Sequence, residues 1–162
     1  LKAEWVEFDL DKRQWTIPAI RLGKTNRSHI VPLSEQSMAI INRLSQHAVS
    51  KYVFFFFCNL AHLSSGGMHS VIHRMCTKRK WVDDFGDKIT VHGMRSTFRD
   101  YIAEQTDFDE ATAETVLAHT YGSATEKAYR RGDSIEKRRR LMQHWSDYAY
   151  GKPLKKVVQL RA

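Results

Sequence analysis

The chain has 162 residues, 42% of them apolar, which is about one domain's length with enough apolar surface for a packed core. Its 26 lysines and arginines against 18 acidic residues leave a formal net charge of +8, the balance of a protein that meets nucleic acid, an anionic membrane or an acidic protein. No stretch of it spans a bilayer, because the longest apolar run, YVFFFFCNLAHL, is too short and too interrupted.

In chain order, WVEFDL, QWTIPAI and HIVPL are rich in β-branched and aromatic residues. The charged turn DKR and the polar loop LGKTNRS separate them, which predicts a small antiparallel sheet. Ser34 then reads as an N-cap, and Met38, Ile41, Leu44 and Ala48 recur at helical spacing, predicting a helix to about His47. YVFFFF follows as a buried strand-like or irregular piece, and HLSSGG reads as a loop. Helical periodicity resumes from Met68 to about Lys80 through Val71, Ile72, Met75 and Cys76. Beyond the turn DDFGDK the chain is expected to be helical to Tyr150. Thr90 caps the first of these helices, Phe108 or Asp109 opens a second, Ser123 a third containing Tyr129, and Ser134 a long basic one. The last segment, GKPLKKVVQLRA, is an extended tail or short docking strand. The expected fold class is α+β, mainly helical with a small antiparallel sheet near the N-terminus, as one domain over residues 1–150 and a tail over 151–162.

The two cysteines, Cys58 and Cys76, with no secretory leader, argue against a disulfide framework and for a reducing cytoplasm. The chain opens on Leu1 rather than methionine, and residues 1–5 look like the tail of an earlier element, so a fragment of a longer protein is expected.

Chemistry enters at VHGMRST. His92 and Arg95 lie three residues apart at the start of a predicted helix, so they share a face where free N–H groups and the helix dipole favour an anion. On a wheel, Met94, Phe98, Tyr101 and Ile102 form the apolar side, with His92, Arg95 and Arg99 along its border. The plain reading of such a border is a solvated cationic edge. Further on, in VLAHTYGSATEKAYRRGD, His119 ends an apolar helix and Tyr129 follows, flanked by Lys127, Arg130 and Arg131. A histidine at a helix end is ordinarily a cap and a helical tyrosine ordinarily packs, but a phenol among three cations costs less to ionise and can then act as a nucleophile. His69, His73 and Cys76, at i, i+4 and i+7, superficially resemble zinc ligands. They lack a C-x-x-C pair and alternate with core positions, so no metal site is read. Lys78, Arg79 and Lys80 in KRKW can neutralise phosphates or form a merely solvated face. The run EKRRR (Glu136 to Arg140) stays open between DNA, a neighbouring subunit and solvent.

HGMR, LAH and AYRRGD, in this order and spacing, resemble the tyrosine recombinases. HGMRSTFRDYIAEQTD together with AYRRGDSIEKRRRLMQHWSDY looks like the integrases of phages and genomic islands. EWVEFDLDKRQWTIPAIRLGKTNRSHIVPLS is similar to the entry of that class's catalytic domain, so the resemblance covers nearly the whole chain. It implies site-specific recombination of mobile DNA, by integration or excision, through a covalent 3′-phosphotyrosyl intermediate. Exchanging one phosphodiester for another conserves the bond's energy, so no ATP, metal or other cofactor is implied. Carried onto this sequence, the resemblance makes Tyr129 the nucleophile and Arg95 the ligand of a non-bridging oxygen. It places His92 and His119 on the phosphate, His92 exchanging a proton with Tyr129, and Lys24 protonating the leaving 5′ oxygen. The plain alternative for Lys24 is a solvated turn lysine. Arg99, Arg130 and Arg131 join Lys78, Arg79 and Lys80 as DNA contacts.

The implied partners are double-stranded DNA attachment sites and three further copies in a homotetramer, with a monomer expected for the isolated fragment. The tail is expected to dock on an adjacent protomer. One departure concerns the family's first catalytic arginine, which lies in a box upstream of the segment resembling LKAEW. The fragment as given is therefore expected to be inactive or severely impaired. The competing readings are Tyr121 as nucleophile, a type IB-like topoisomerase that relaxes supercoils as a monomer, and a noncatalytic DNA-binding module.

Overall fold

Residues 2–22, 27–83, 85–119 and 134–152 are described by the computed structural model, apart from the Ser65 side chain. Strands β1 (Phe8–Asp9), β2 (Gln14–Ile17) and β3 (His29–Pro32) form an antiparallel sheet in the order β1-β2-β3, with Phe8 opposite Trp15 and Thr16 opposite Ile30. The Phe8 and Trp15 rings stack with centroids 5.5 Å apart, a cross-strand aromatic pair of the kind that holds register in short strands.

The sheet is smaller than the sequence pattern predicts. Trp5–Glu7 is a 3-10 turn rather than strand, because the backbone around it is engaged elsewhere. The Trp5 N–H donates to the Lys51 carbonyl at 3.0 Å and the Val53 N–H to the Ala3 carbonyl at 2.9 Å. The end of QWTIPAI also departs from strand. Past Pro18 the chain makes one helical turn, α1 (Ala19–Leu22), with the Arg21 N–H on the Pro18 carbonyl at 3.0 Å. The Arg21 guanidinium then bonds the Lys2 carbonyl and the Glu7 carboxylate, tying this turn to the start of the chain.

Helix α2 (Glu35–Ser45) begins where expected, with the Ser34 hydroxyl accepting the Ser37 N–H at 3.2 Å. YVFFFF takes the irregular of the two forms expected, and it is buried only in part. Val53 is buried, whereas Phe57 is 79% exposed, because the segment folds back on itself and only its first residues reach the core. Phe56 N–H bonds the Ala61 carbonyl and Leu63 N–H the Phe54 carbonyl, both at 2.9 Å. Helix α3 (Ser65–Arg79) absorbs the glycines assigned to a loop, since the Ser64 hydroxyl accepts the Gly67 N–H at 3.2 Å and starts the helix early.

Three helices complete the described chain: α4 (Val91–Gln105), α5 (Glu110–Val116) and α6 (Ile135–Ala149). Thr90 and Asp109 cap the first two as expected, but Ser134 does not cap α6 with its side chain. Its backbone is left-handed, φ 45°, and its contribution is a carbonyl that accepts the Arg138 N–H at 3.1 Å.

Two cores result. Ala3, Ile41 and Val53 form one, with Trp5, Trp15 and Leu44 packed around it. Phe98, Tyr101, Ile102, Ala113 and Leu141 form the other, where α4, α5 and α6 meet under Phe108, Met142 and Trp145. Each large apolar side chain buried there contributes about 1.5–3 kcal/mol. Met94, expected on this apolar side, is 52% exposed, since it lies a turn before the place where α6 covers α4. The run EKRRR is not a continuous cationic face. Helical rotation turns Arg138 inward, fully buried, and its guanidinium donates to the Ile30 carbonyl of β3, anchoring α6 to the sheet.

The α6 helix is also pinned to α2. Ser34 and Ser146 hydroxyls pair at 3.0 Å, the Glu35 N–H donates to the Gln143 side chain at 2.9 Å, and the Gln36 amide to Asp147 at 2.6 Å. The sheet, the first core and the helical core are thereby held as neighbours. Among the described residues, no helix is long and apolar enough to cross a membrane.

Candidate active site

Two caps set the geometry of the basic residues. The Thr90 hydroxyl accepts the Gly93 N–H at 2.9 Å, so α4 starts at Val91 and carries His92, exposed, in its first turn and Arg95 one turn later. Arg95 is half-buried. Its Nη2 donates to the Leu117 carbonyl at 2.7 Å and to Nε2 of His119, 24 residues along the chain.

His119 arrives there because α5 ends abruptly. Leu117 closes the helix through its N–H on the Ala113 carbonyl, Ala118 takes a left-handed φ of 56°, and the His119 N–H returns to the Glu114 carbonyl at 2.9 Å. The ring's other nitrogen, Nδ1, lies 2.5 Å from Glu114 Oε2. The second Glu114 oxygen stands 2.8 Å from Nε of Arg99. A continuous series Arg99, Glu114, His119, Arg95 therefore bridges α4 and α5, with the carboxylate buried and the imidazole about half exposed. From the sheet, His29 Nε2 comes within 3.2 Å of the Val116 carbonyl and ties β3 to the end of α5.

Structure thus brings together Arg95 and His119, and places Arg99 beside them on an ion pair. His92 precedes Arg95 by one turn on the same helix. Lys78, Arg79 and Lys80 sit exposed at the end of α3, the Arg79 guanidinium 5.6 Å from the centre of the Trp81 ring. Tyr129, Arg130, Arg131 and Lys24 lie outside the described residues, as do Tyr121, Ser123 and the tail from 153 onward. His69, His73 and Cys76 line a cavity with Lys88 and Thr90. Among the described residues, no group of three or more histidine, cysteine or acidic side chains is placed to hold a metal ion.

Glu114 was not singled out by sequence. Its only signal is an acid among small and apolar residues in ATAETVLAH, five residues before the histidine.

The whole arrangement depends on where α5 starts. Asp109 Oδ1 accepts the Thr112 N–H and Oδ2 the Thr112 hydroxyl, both at 2.8 Å. Burial pushes the Asp109 carboxyl up, but these Thr112 bonds outweigh it and hold the group below its ordinary 3.8. A folded-state value below the unfolded one means that Asp109 stabilises the fold fully above the unfolded value, and that this contribution is lost as pH falls through the folded one. Asp109→Ala is expected to cost about 1 kcal/mol at neutral pH, and the difference from wild type is expected to shrink in acid below the carboxylate range. Urea unfolding at neutral and acid pH checks both.

The phage integrase family matches residues 1–135 of the chain. The chain is 32% identical over 146 residues to the prophage integrase IntA of Escherichia coli K12, covering 90% of this chain and 33% of that protein. It is 30% identical over 160 residues to the integrase of Enterobacteria phage P4, covering 90% and 35%. To the integrase of Shigella phage Sf6 it is 26% identical over 152 residues, covering 90% and 36%. The chain spans about a third of the length of these curated relatives. No solved structure matches it.

Proposed function

The chain belongs to the phage integrase family, and from that premise we propose that it forms the catalytic part of a tyrosine recombinase that integrates or excises mobile DNA at specific sites. The observation that carries the reading is the meeting of Arg95 and His119 at one partly open point between α4 and α5, with His92 one turn before Arg95. A guanidinium held there by His119, with the exposed imidazole of His92 one turn before it, suits a phosphodiester whose charge grows in the transition state.

In the proposed reaction the Tyr129 oxygen attacks phosphorus and forms the phosphotyrosyl ester as the bond to the 5′ oxygen breaks. His92 takes the phenolic proton, and Lys24 delivers one to the leaving oxygen. Arg95 balances charge on a non-bridging oxygen. Lys78, Arg79, Lys80, Arg99, Arg130 and Arg131 neutralise duplex phosphates, a contribution that weakens steeply with salt. The reaction runs on double-stranded attachment sites in a synaptic homotetramer.

The test uses a protein that includes the upstream arginine box and a nicked duplex whose cut releases a short end, so that religation is blocked. The expected result is a protein–DNA adduct that survives denaturant. Salt-sensitive binding with no adduct would instead establish a noncatalytic DNA-binding module. Relaxation of supercoils by single protomers, without paired sites, would establish a topoisomerase.

A further inference from the structure

The side chain that best explains the shape of the proposed site is one to which the reaction assigns no role. Glu114 is 7% exposed, on a helix of two turns; its Oε2 meets His119 Nδ1, while Oε1 is buried without a hydrogen bond and has the Arg99 guanidinium at ion-pair distance, 2.8 Å. A carboxylate only accepts hydrogen bonds and a guanidinium only donates them. His119 lies between the two, with Nδ1 on Glu114 and Nε2 on Arg95. The neutral ring can satisfy both neighbours in one way only: Nδ1 carries the hydrogen and Nε2 presents its lone pair to Arg95.

We propose that Glu114 is a positioning residue that fixes the tautomer and orientation of His119, which in turn holds the Arg95 guanidinium in the plane it needs to receive a phosphate. The inference rests on the recombinase reading for what Arg95 binds, and on the geometry alone for how Arg95 is held. The groups facing the His119 ring are Glu114 on α5 and Arg95 on α4, with Arg99 behind the carboxylate. Arg99 keeps Glu114 from turning away, and the Leu117 carbonyl gives Arg95 a second fixed acceptor at 2.7 Å. Among the described residues one Arg95 nitrogen is occupied, by the Leu117 carbonyl and His119, and the proposal assigns the rest of its donor fork to the ligand. A histidine held in this manner by a carboxylate behaves as such histidines do at metal sites, where loss of the outer partner costs about 10- to 100-fold.

The experiment compares Glu114→Ala with Glu114→Gln in the longer protein, alongside His119→Ala. Single-turnover adduct formation is read together with nitrogen NMR of the His119 ring and thermal unfolding. Glu114→Gln retains an oxygen that accepts the Nδ1 hydrogen, so it is expected to keep the tautomer and most of the rate. Glu114→Ala is expected to lose the tautomer preference and about 10- to 100-fold in rate, close to His119→Ala. Should Glu114→Ala unfold, the wild-type tautomer and the Gln variant carry the test on their own. A wild-type ring with its hydrogen on Nε2, or a Gln variant as slow as His119→Ala with its tautomer intact, would overturn the proposal. Absence of any wild-type adduct would overturn the recombinase reading instead, and would leave the tautomer result standing by itself.

Discussion

Tyr129→Phe is expected to abolish the covalent protein–DNA adduct while leaving DNA affinity and its salt dependence unchanged. Phenylalanine has the same ring and no oxygen, so the phosphorus has no nucleophile to receive and no phosphotyrosyl bond can form. Affinity rests on other groups, because the lysines and arginines release counterions from the duplex whether or not chemistry follows. Tyr129 stands in EKAYRRGD, with Lys127, Arg130 and Arg131 near it in sequence. The measurement is denaturing electrophoresis of the adduct beside a binding titration at several salt concentrations. An adduct that persists in Tyr129→Phe would move the nucleophile elsewhere, Tyr121 being the neighbouring candidate, and would remove the basis for assigning proton exchange to His92.

Arg95→Ala is expected to slow single-turnover cleavage by about a hundredfold to a thousandfold, the range found when one donor that stabilises developing charge is removed. The structure adds a reason for Arg95→Lys to fall between. Arg95 donates from one nitrogen to the Leu117 carbonyl and His119, which leaves further donors of a planar fork for phosphate oxygens. An ammonium keeps the charge and loses the fork, so it cannot hold His119 and a phosphate in the same plane. Thermal unfolding of each variant separates this from simple damage, since the lost bond to Leu117 is itself worth about 1 kcal/mol. A rate within tenfold of wild type in Arg95→Ala would show that the guanidinium does not touch the reacting phosphate.

Several features of the fold were legible from residues a few positions apart. Ser34 and Thr90 each start a helix at the residue expected, and Asp109 starts one as the second of the two residues expected there, because a capping bond joins groups three positions apart. Phe98, Tyr101 and Ile102 are buried as their helical spacing required. The departures share a different cause. Trp5–Glu7 is withheld from the sheet by pairing with residues near position 52, and Ser64 overrides a glycine pair that looked like loop. Arg138 read as one more surface cation and lies fully buried against β3.

By itself the sequence determined where α2 and α4 begin, the basic character of the chain, and the order of His92, Arg95 and His119 along it. Those are matters of local hydrogen bonds, periodicity and composition, all written within a turn or two of the chain. Only the tertiary structure decided which group meets which: Arg95 with His119 at a separation of 24 residues, Arg138 with the Ile30 carbonyl at 108, and Glu114 as the anion between Arg99 of another helix and His119. A charged side chain has no preferred partner until packing removes water from around it, and packing is decided by which elements bury their apolar faces together.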